Sequence, residues 1–438
     1  MRCAARWFAA LVLVCSITTA LIAANRRGEV HIVAAFTLPK LSLAEFQNRV
    51  LPGSLAHDRG IALGSIGSDL WRGASDPKAE FWMVTDRGPN GQLKIGGDKR
   101  RTFPLPDFAP MIVRTRAVSG ARGKELAVVE ALPLTGTSGR SISGLPNHAD
   151  RDEPGFDATG QTSAPINPSG VDTECLVRTS QGEFWLAEEY RPSLLRVDRK
   201  GRVLKRYIPG GQNLAGADYP VMDVLPEVYG RRQYNRGFEG LALSADASTL
   251  YLALQSPLAA PDKRTAKSSR NTRILAFDIA KERPIAEYVY RFDTADAFEP
   301  GAVPDDMKLG AVAMLGPQKL LVLERTDRSA KIYRVELKTA TDILPTKWHD
   351  RRDGSTLEEL SDPAAEDIHV LTKTLIVDLT RISGVPGKLE GLAVLNRTTI
   401  GVTNDNDFDL GNLDAAGNNV GHGTPSQLVG IRLDKPLY

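Results

Sequence analysis

Short apolar runs broken by Gly, Pro, Asp and Asn recur along nearly the whole chain. Examples are Phe81-Trp-Met-Val84, Met111-Ile-Val113, Leu194-Leu-Arg-Val197, Arg273-Ile-Leu-Ala-Phe277, Lys319-Leu-Leu-Val-Leu323 and Lys331-Ile-Tyr-Arg-Val335. Their length and their β-branched and aromatic content predict strands, with turns such as Asp198-Arg-Lys-Gly201 between them. A helical period of apolar positions is visible only at Leu43 to Val50 and Ser361 to Thr374. The pattern predicts an all-β protein.

Three of the strands share a further feature. Asp172-Thr-Glu174-Cys-Leu-Val, Phe238-Glu239-Gly-Leu-Ala242 and Leu389-Glu390-Gly-Leu-Ala393 each put a carboxylate at the head of an apolar run. About ten residues later each is followed by a second strand that ends in polar residues. These are Glu183-Phe-Trp-Leu-Ala-Glu188-Glu189-Tyr190, Thr249-Leu-Tyr-Leu-Ala-Leu-Gln255-Ser256 and Thr399-Ile-Gly-Val-Thr-Asn404-Asp405-Asn406-Asp407. Such strands suit a sheet whose rim collects oxygen ligands better than they suit a plain core.

The spacing bears on the fold. Glu174 to Glu239 is 65 residues and Glu239 to Glu390 is 151, about twice that plus an insertion. Degenerate copies lie at Lys308 to Ala313 followed by Lys319 to Arg325, and at Gly60 to Ser65 followed by Phe81 to Arg87. Units of roughly 65 to 80 residues fit four-stranded blades, and the length predicts six of them. A six-bladed β-propeller is the expectation, with a pair of β-sandwiches as the alternative. One domain spans 30–438, with loop insertions at about 133–170 and 257–272.

The first 24 residues read differently. Arg2 and Arg6 precede an apolar run from Trp7 to Ala24 that closes in small residues, the composition of a signal peptide. About eighteen apolar residues would also serve as an N-terminal membrane anchor. Secretion or periplasmic export follows from the first reading. No second apolar run of that length appears, which excludes a multi-span membrane protein. Cys3 and Cys15 leave with the leader, so Cys175 stands alone and no intramolecular disulfide can form. Loss of Arg2 and Arg6 takes Lys+Arg from 55 to 53 against 53 Asp+Glu. A chain so balanced has no electrostatic case for nucleic acid or an anionic membrane as partner.

In a propeller the innermost strands line a central channel, so Glu174, Glu239 and Glu390 are expected to converge from three blades. Converging carboxylates need cations or must take up protons. The alternative is that each bonds backbone N–H groups or a nearby arginine. Oxygen donors suit a hard cation, and Ca²⁺ tolerates irregular geometry better than Mg²⁺. The expected metal ligands are Glu174, Glu239, Glu390, Asn404, Asp405 and Asp407. Asp405, Asp407 and Asp409 match the first positions of an EF-hand loop, but Leu410 stands where its turn glycine belongs and Ala416 where its bidentate Glu belongs. It is no EF-hand. Asp86-Arg87 and Glu188-Glu189-Tyr190-Arg191 bring both signs of charge to an exposed rim, and Arg325 follows Glu324 at an equivalent place. An arginine fork suits phosphate or carboxylate. Glu174, Glu239, Asp86 and Glu189 are the candidate catalytic residues, with Arg87, Arg191, Arg325 and Tyr190 as candidate substrate contacts. Lys263, Arg264, Lys267 and Arg270 read as a solvated basic face. Absent motifs narrow the chemistry: there is no G-x-S-x-G, H-E-x-x-H, C-x-x-C or P-loop.

Four strings in order resemble those of the phytase-like family described by "esterase-like activity of phytase". They are Asp86-Arg87-Gly88-Pro89-Asn90, Glu188-Glu189-Tyr190-Arg191-Pro192-Ser193, Phe238-Glu239-Gly240-Leu241-Ala242 and Asn404-Asp405-Asn406-Asp407-Phe408. Cys175 departs from the Gly that usually follows the Glu. The resemblance implies a secreted or periplasmic propeller related in idea to calcium-dependent phytases. The expected function is metal-assisted hydrolysis of phosphate esters or related anionic esters, with Ca²⁺ as cofactor and a small anionic substrate as partner. Two alternatives stay open: a calcium-dependent lactonase or arylesterase of the gluconolactonase type, and a non-catalytic propeller that binds a ligand or protein.

Overall fold

The computed structural model describes residues 29–120, 123–148, 151–414 and 417–438. The leader at 1–24 and Ala416 lie outside them. No helix among the described residues is long and apolar enough to cross a membrane.

The six apolar runs quoted first above each lie inside an observed strand, whereas the predicted copy at Gly60 to Ser65 forms none, and the strands assemble into a β-propeller. The second blade runs outward through Thr173–Arg178, Phe184–Glu188, Ser193–Val197 and Val203–Pro209, with Val221–Leu225 added at its edge. The third comprises Phe238–Leu243, Thr249–Leu254, Asn271–Asp278 and Arg283–Arg291. The fourth comprises Lys308–Gly316, Lys319–Arg325, Ala330–Glu336 and Thr372–Asp378. In the fifth, Leu389–Asn396, Thr399–Asn404 and Gln427–Arg432 are completed by the N-terminal strand His31–Thr37, which pairs antiparallel with Gln427–Arg432. The described ends of the chain therefore share one blade. The first blade comprises Glu80–Val84, Met111–Gly120 and Gly123–Pro133. Its inner edge is the irregular segment 67–71, bridged at Gly67↔Val84 and Trp71↔Trp82.

The described sheets therefore make five blades, where the sequence spacing predicts six. Ring closure shows this directly. Leu176 N donates to Asp69 Oδ2 at 2.9 Å between the first and second blades, and Gln255 Nε2 to Glu189 Oε1 at 3.0 Å between the second and third. Leu309 N donates to Gln255 O at 2.9 Å, Lys388 N to Asp327 O at 3.1 Å, and Thr403 Oγ1 to Gly67 O at 3.0 Å, which closes the circle. Five large apolar clusters fill the five gaps between blades. Strand alternation explains them. Trp185 and Ala187 face the third blade while Phe184 and Leu186 face the first, so both faces of the strand are apolar and buried. Dividing the length by a blade overcounts because much of the chain lies outside blades. Between the first and second blades, residues 134–170 form a long connection, and the hairpin of Gly91–Ile95 with Asp98–Thr102 interrupts the first blade. Residues 337–371 form a third long excursion from the fourth blade.

The helix Leu43–Val50 forms as predicted, capped by the Ser42 hydroxyl. The predicted helix over Ser361 to Thr374 does not. Pro363 begins a single 3₁₀ turn, Pro363–Glu366, closed by Asp367 at φ +57°, and Thr372 already opens a strand. Leu371 N donates to Val289 O at 2.9 Å, so the segment docks on the third blade instead of coiling.

Asp69 offers a test of the closed ring. Burial pushes its carboxyl up to about 7, against two backbone N–H bonds from Leu176 and Leu70 that favour the ionised form. An acid whose pKa is raised by folding stabilises the protein below its unfolded value, and that contribution is lost as pH rises through the folded value. Melting temperatures of wild type and Asp69→Asn, which mimics the protonated acid, should therefore shift steadily in favour of the variant between pH 5 and pH 8. A constant difference across that window would show that Asp69 is not buried at the junction.

Candidate functional site at the channel mouth

The repeated Glu is placed by a β-bulge. In the inner strands the pairing register breaks between Thr173 and Cys175, Phe238 and Gly240, Leu309 and Ala311, and Leu389 and Gly391. The residue left out of each ladder is Glu174, Glu239, Gly310 and Glu390. A bulge re-aims its extra residue and tightens the local twist, and here it turns the carboxylates to the channel mouth. The same register makes Glu189, Gln255, Arg325 and Asp405 equivalent, each following the residue paired just ahead of the bulge. The mouth thus has two tiers. In the fourth blade the bulged residue is glycine, and the Arg325 Nε lies only 3.0 Å from where a Cβ would be. A guanidinium occupies the place a fourth glutamate would take.

These groups line one small polar cavity of about 90 Å³. Eight carboxylates face five cationic side chains there, with no histidine or cysteine. The cations are Arg87, Arg101, Lys308, Arg325 and Lys388. Arg325 pairs with Glu390, lies 3.4 Å from Glu239 Oε1, and reaches Asp327 at 3.2 Å. Lys388 binds Asp405 and Asp407 together. Arg87 donates its backbone N–H to Asp172 Oδ1 at 3.1 Å, and its Nη1 lies 3.1 Å from Asp172 Oδ2. The Arg87 Nη2 and the Arg101 Nη1 both donate to Asn90 Oδ1, at 3.3 and 3.0 Å.

Glu174 differs from the rest. It is buried, accepts no hydrogen bond and pairs with no lysine or arginine among the described residues. One oxygen each from Glu174, Glu239 and Glu390 lie within 4.8 Å of one another, and the same holds for Asp172, Glu174 and Glu189. Burial first, then the charges of Asp172, Glu239, Glu189 and Glu390, push the Glu174 carboxyl well above the ordinary range. Burial and Asp172 raise Glu189 to about 8 against Arg87, and burial and Glu189 raise Glu239 to about 8 against Arg325. Burial, Asp405 and Asp172 raise Asp86, one of whose oxygens accepts Gly88 N at 2.8 Å. Burial also acts on Asp405, but Lys388 and the Ser65 hydroxyl outweigh it and bring it down to about 2. Glu239 Oε2 and Gln255 Oε1 are buried with no donor. Unpaired oxygens in a dry, acidic site are what a hard cation requires.

Of the residues singled out from sequence, Asp86, Arg87, Glu174, Glu189, Glu239, Arg325, Glu390, Asp405 and Asp407 meet in this cavity. Three do not line it. Asn404 donates to Pro425 O at 3.2 Å and accepts Gln427 N at 2.8 Å, so its amide is used up tying down the neighbouring loop. Tyr190 donates its hydroxyl to Gly144 O and offers its ring to Arg87, 5.5 Å away, making it a support for the arginine. Arg191 is 2% exposed and donates to Gln212 Oε1 at 2.8 Å, away from the mouth. Neither Arg87 nor Arg191 is an exposed rim residue; Arg87 is only 5% exposed. Asp405 and Asp407 already hold the Lys388 ammonium, which fills the position expected for a cation. The neighbouring Glu188 is structural, buried with Arg206 at 2.7 Å and bonded by Ser193 and three backbone N–H groups. Sequence reasoning missed Asp172, Lys388, Lys308 and the Asn90–Arg101 pair as site residues. Asp172 and Lys388 each stand two residues before a bulged Glu, which is the signal that would have found them.

The profile of the phytase-like family, described as "Esterase-like activity of phytase", matches residues 68–408. The chain belongs to this family. It is also 27% identical over 362 residues to an "Uncharacterized secreted protein" of Arthroderma benhamiae, covering 70% of this chain and 69% of that one. Among solved structures, a luciferin-regenerating enzyme is 12% identical with a TM-score of 0.34, covering 84% of this chain and 92% of its own. A PQQ-bound aldose sugar dehydrogenase from Streptomyces coelicolor is 9% identical with a TM-score of 0.32, covering 92% and 98%.

Proposed function

We propose that this protein is a secreted, metal-assisted hydrolase of phosphate esters or related anionic esters, acting at the channel mouth. The observation that carries the reading is Glu174, a buried carboxylate with no partner, set against Glu239 and Glu390. Glu174, Glu239 and Glu390 would hold a hard dication such as Ca²⁺, and Asp172 and Glu189 border the same space. When bound there, such an ion would supply Lewis-acid polarisation of the ester's phosphoryl or carbonyl oxygen. Arg87 presents its fork to the anion, fixed by Asp172, Asn90 and the Tyr190 ring. Asp86, whose carboxyl burial and the neighbouring Asp405 and Asp172 push well up, supplies a proton to the leaving oxygen. A cavity of about 90 Å³ admits the reacting group and leaves the rest of the substrate outside. The Arg87 guanidinium, a fork suited to phosphate or carboxylate, favours an anionic ester over a neutral lactone. Secretion is supported by the basic and apolar leader and by the likeness to a secreted fungal protein.

Turnover of p-nitrophenyl phosphate beside p-nitrophenyl acetate, each with EDTA and with added Ca²⁺, tests this reading. The phosphate should be the faster substrate, with EDTA abolishing its turnover and Ca²⁺ restoring it. Faster, Ca²⁺-dependent turnover of the acetate would point to an arylesterase or lactonase, and no turnover of either to a binding propeller.

A further inference from the structure

We infer that the mouth holds two cations bridged by Glu174, an arrangement that rests on the metal-assisted reading above. Two acidic triples occupy the cavity, and Glu174 is the residue they share. In one it stands with Glu239 and Glu390, in the other with Asp172 and Glu189. Three oxygens up to about 4.5 Å apart reach a single ion at the 2.3–2.6 Å typical of Ca²⁺–oxygen bonds, so sets within 4.8 Å of one another need at most a small side-chain adjustment. A carboxylate that bridges through both oxygens needs both free, and Glu174 accepts a hydrogen bond on neither. Further unpartnered buried atoms lie beside the triples: Glu239 Oε2, a second oxygen of the first set, and Gln255 Oε1, whose own Nε2 is committed to Glu189. In the third acidic group, Asp86 with Asp405 and Asp407, Lys388 binds two of the three carboxylates, whereas the shared Glu174 meets no cation in either of the other two.

Charge decides between one ion and two. With Asp86 protonated as the acid, seven ionised carboxylates against five cationic side chains leave the lining at −2. One dication leaves it neutral. Two leave it at +2, which attracts an anionic ester.

The test is the Ca²⁺ stoichiometry of the full chain after EDTA stripping and desalting, by calorimetric titration with elemental analysis. Wild type should bind two Ca²⁺ per chain. Glu239→Gln and Glu189→Gln should each keep one, and Glu174→Gln should weaken both sites at least tenfold. Folding of each variant is checked by thermal melting. A readout free of variants is the electron paramagnetic resonance spectrum of Mn²⁺-loaded wild type, where a bridged pair gives an exchange-coupled signal. One Ca²⁺ per chain in wild type would overturn the pair while leaving the single-ion hydrolase intact, and none would overturn both. Two ions with one retained at full affinity in Glu174→Gln, or two uncoupled Mn²⁺ signals, would overturn the bridge.

Discussion

Replacing Arg87 by lysine should lower kcat/KM for p-nitrophenyl phosphate by roughly 30- to 1000-fold, far more than conservation of charge suggests. Losing one charged contact at a phosphoryl group costs about 2–4 kcal/mol of transition-state stabilisation. Lysine keeps a charge beside Asp172, but it cannot bond Asn90 at the same time, nor lie over the Tyr190 and Phe103 rings as the guanidinium does at 5.5 and 5.9 Å. It also presents a point charge where the arginine presents a planar fork. Because Arg87 and Asp172 are both buried, the variant should lose some stability too, about 1.5–3 kcal/mol, the typical worth of a hydrogen bond to a charged group. The two effects separate in one pair of measurements, kcat/KM and a thermal melt. A lowered melting point with unchanged kcat/KM would make Arg87 a purely structural residue.

Arg325→Gln should cost the most stability of any single change at the mouth, roughly 3–5 kcal/mol, as is usual when one partner of a buried ion pair is removed. Arg325 is the counter-charge of Glu390 and Glu239, and all three are almost fully buried. Without it, three bulged glutamates face one another with Lys388, 4.0 Å from Glu390, and Lys308, which acts on Glu239, as weaker counter-charges. The variant should therefore depend on cations more than wild type does, and added Ca²⁺ should raise its melting temperature by the larger amount. Chemical denaturation with and without Ca²⁺ measures both quantities. A variant as stable as wild type in EDTA would mean that the glutamates are already neutral and that the arginine is not their counter-ion.

The propeller and most of its mouth are legible in the sequence because both rest on short-range patterns. Strands buried on both faces read as unbroken apolar runs, and a bulge that turns one Glu to the mouth leaves that Glu at the head of such a run. The blade count rests instead on how much chain leaves the blades. Residues 134–170 are legible as an insertion from their Gly, Ser, Pro, Asp and Asn content, but nothing local distinguishes 337–371 from a degenerate blade, since its apolar residues pack on Val289 of the third blade. Roles at strand ends fail for a related reason. Asn404, Tyr190 and Arg191 lie beside true lining residues in sequence, but their partners Gln427, Gly144 and Gln212 come from other segments of the chain. The Ser361 to Thr374 segment has a helical apolar period, yet Pro363 and the docking of Leu371 on the third blade decide its form.

Convergence of Glu174, Glu239 and Glu390 on a cation is tested most directly by melting wild type and Glu239→Gln in EDTA and in excess Ca²⁺. A ligand that binds only the folded state at one hundred times its Kd adds about 2.7 kcal/mol of stability. Wild type should melt at a clearly higher temperature in Ca²⁺ than in EDTA, and Glu239→Gln should show a smaller rise from a higher starting point, since one of the mutually repelling carboxylates is gone. Melting curves of wild type that are indifferent to both EDTA and Ca²⁺ would contradict the cation and leave the carboxylates to protons and to Arg325.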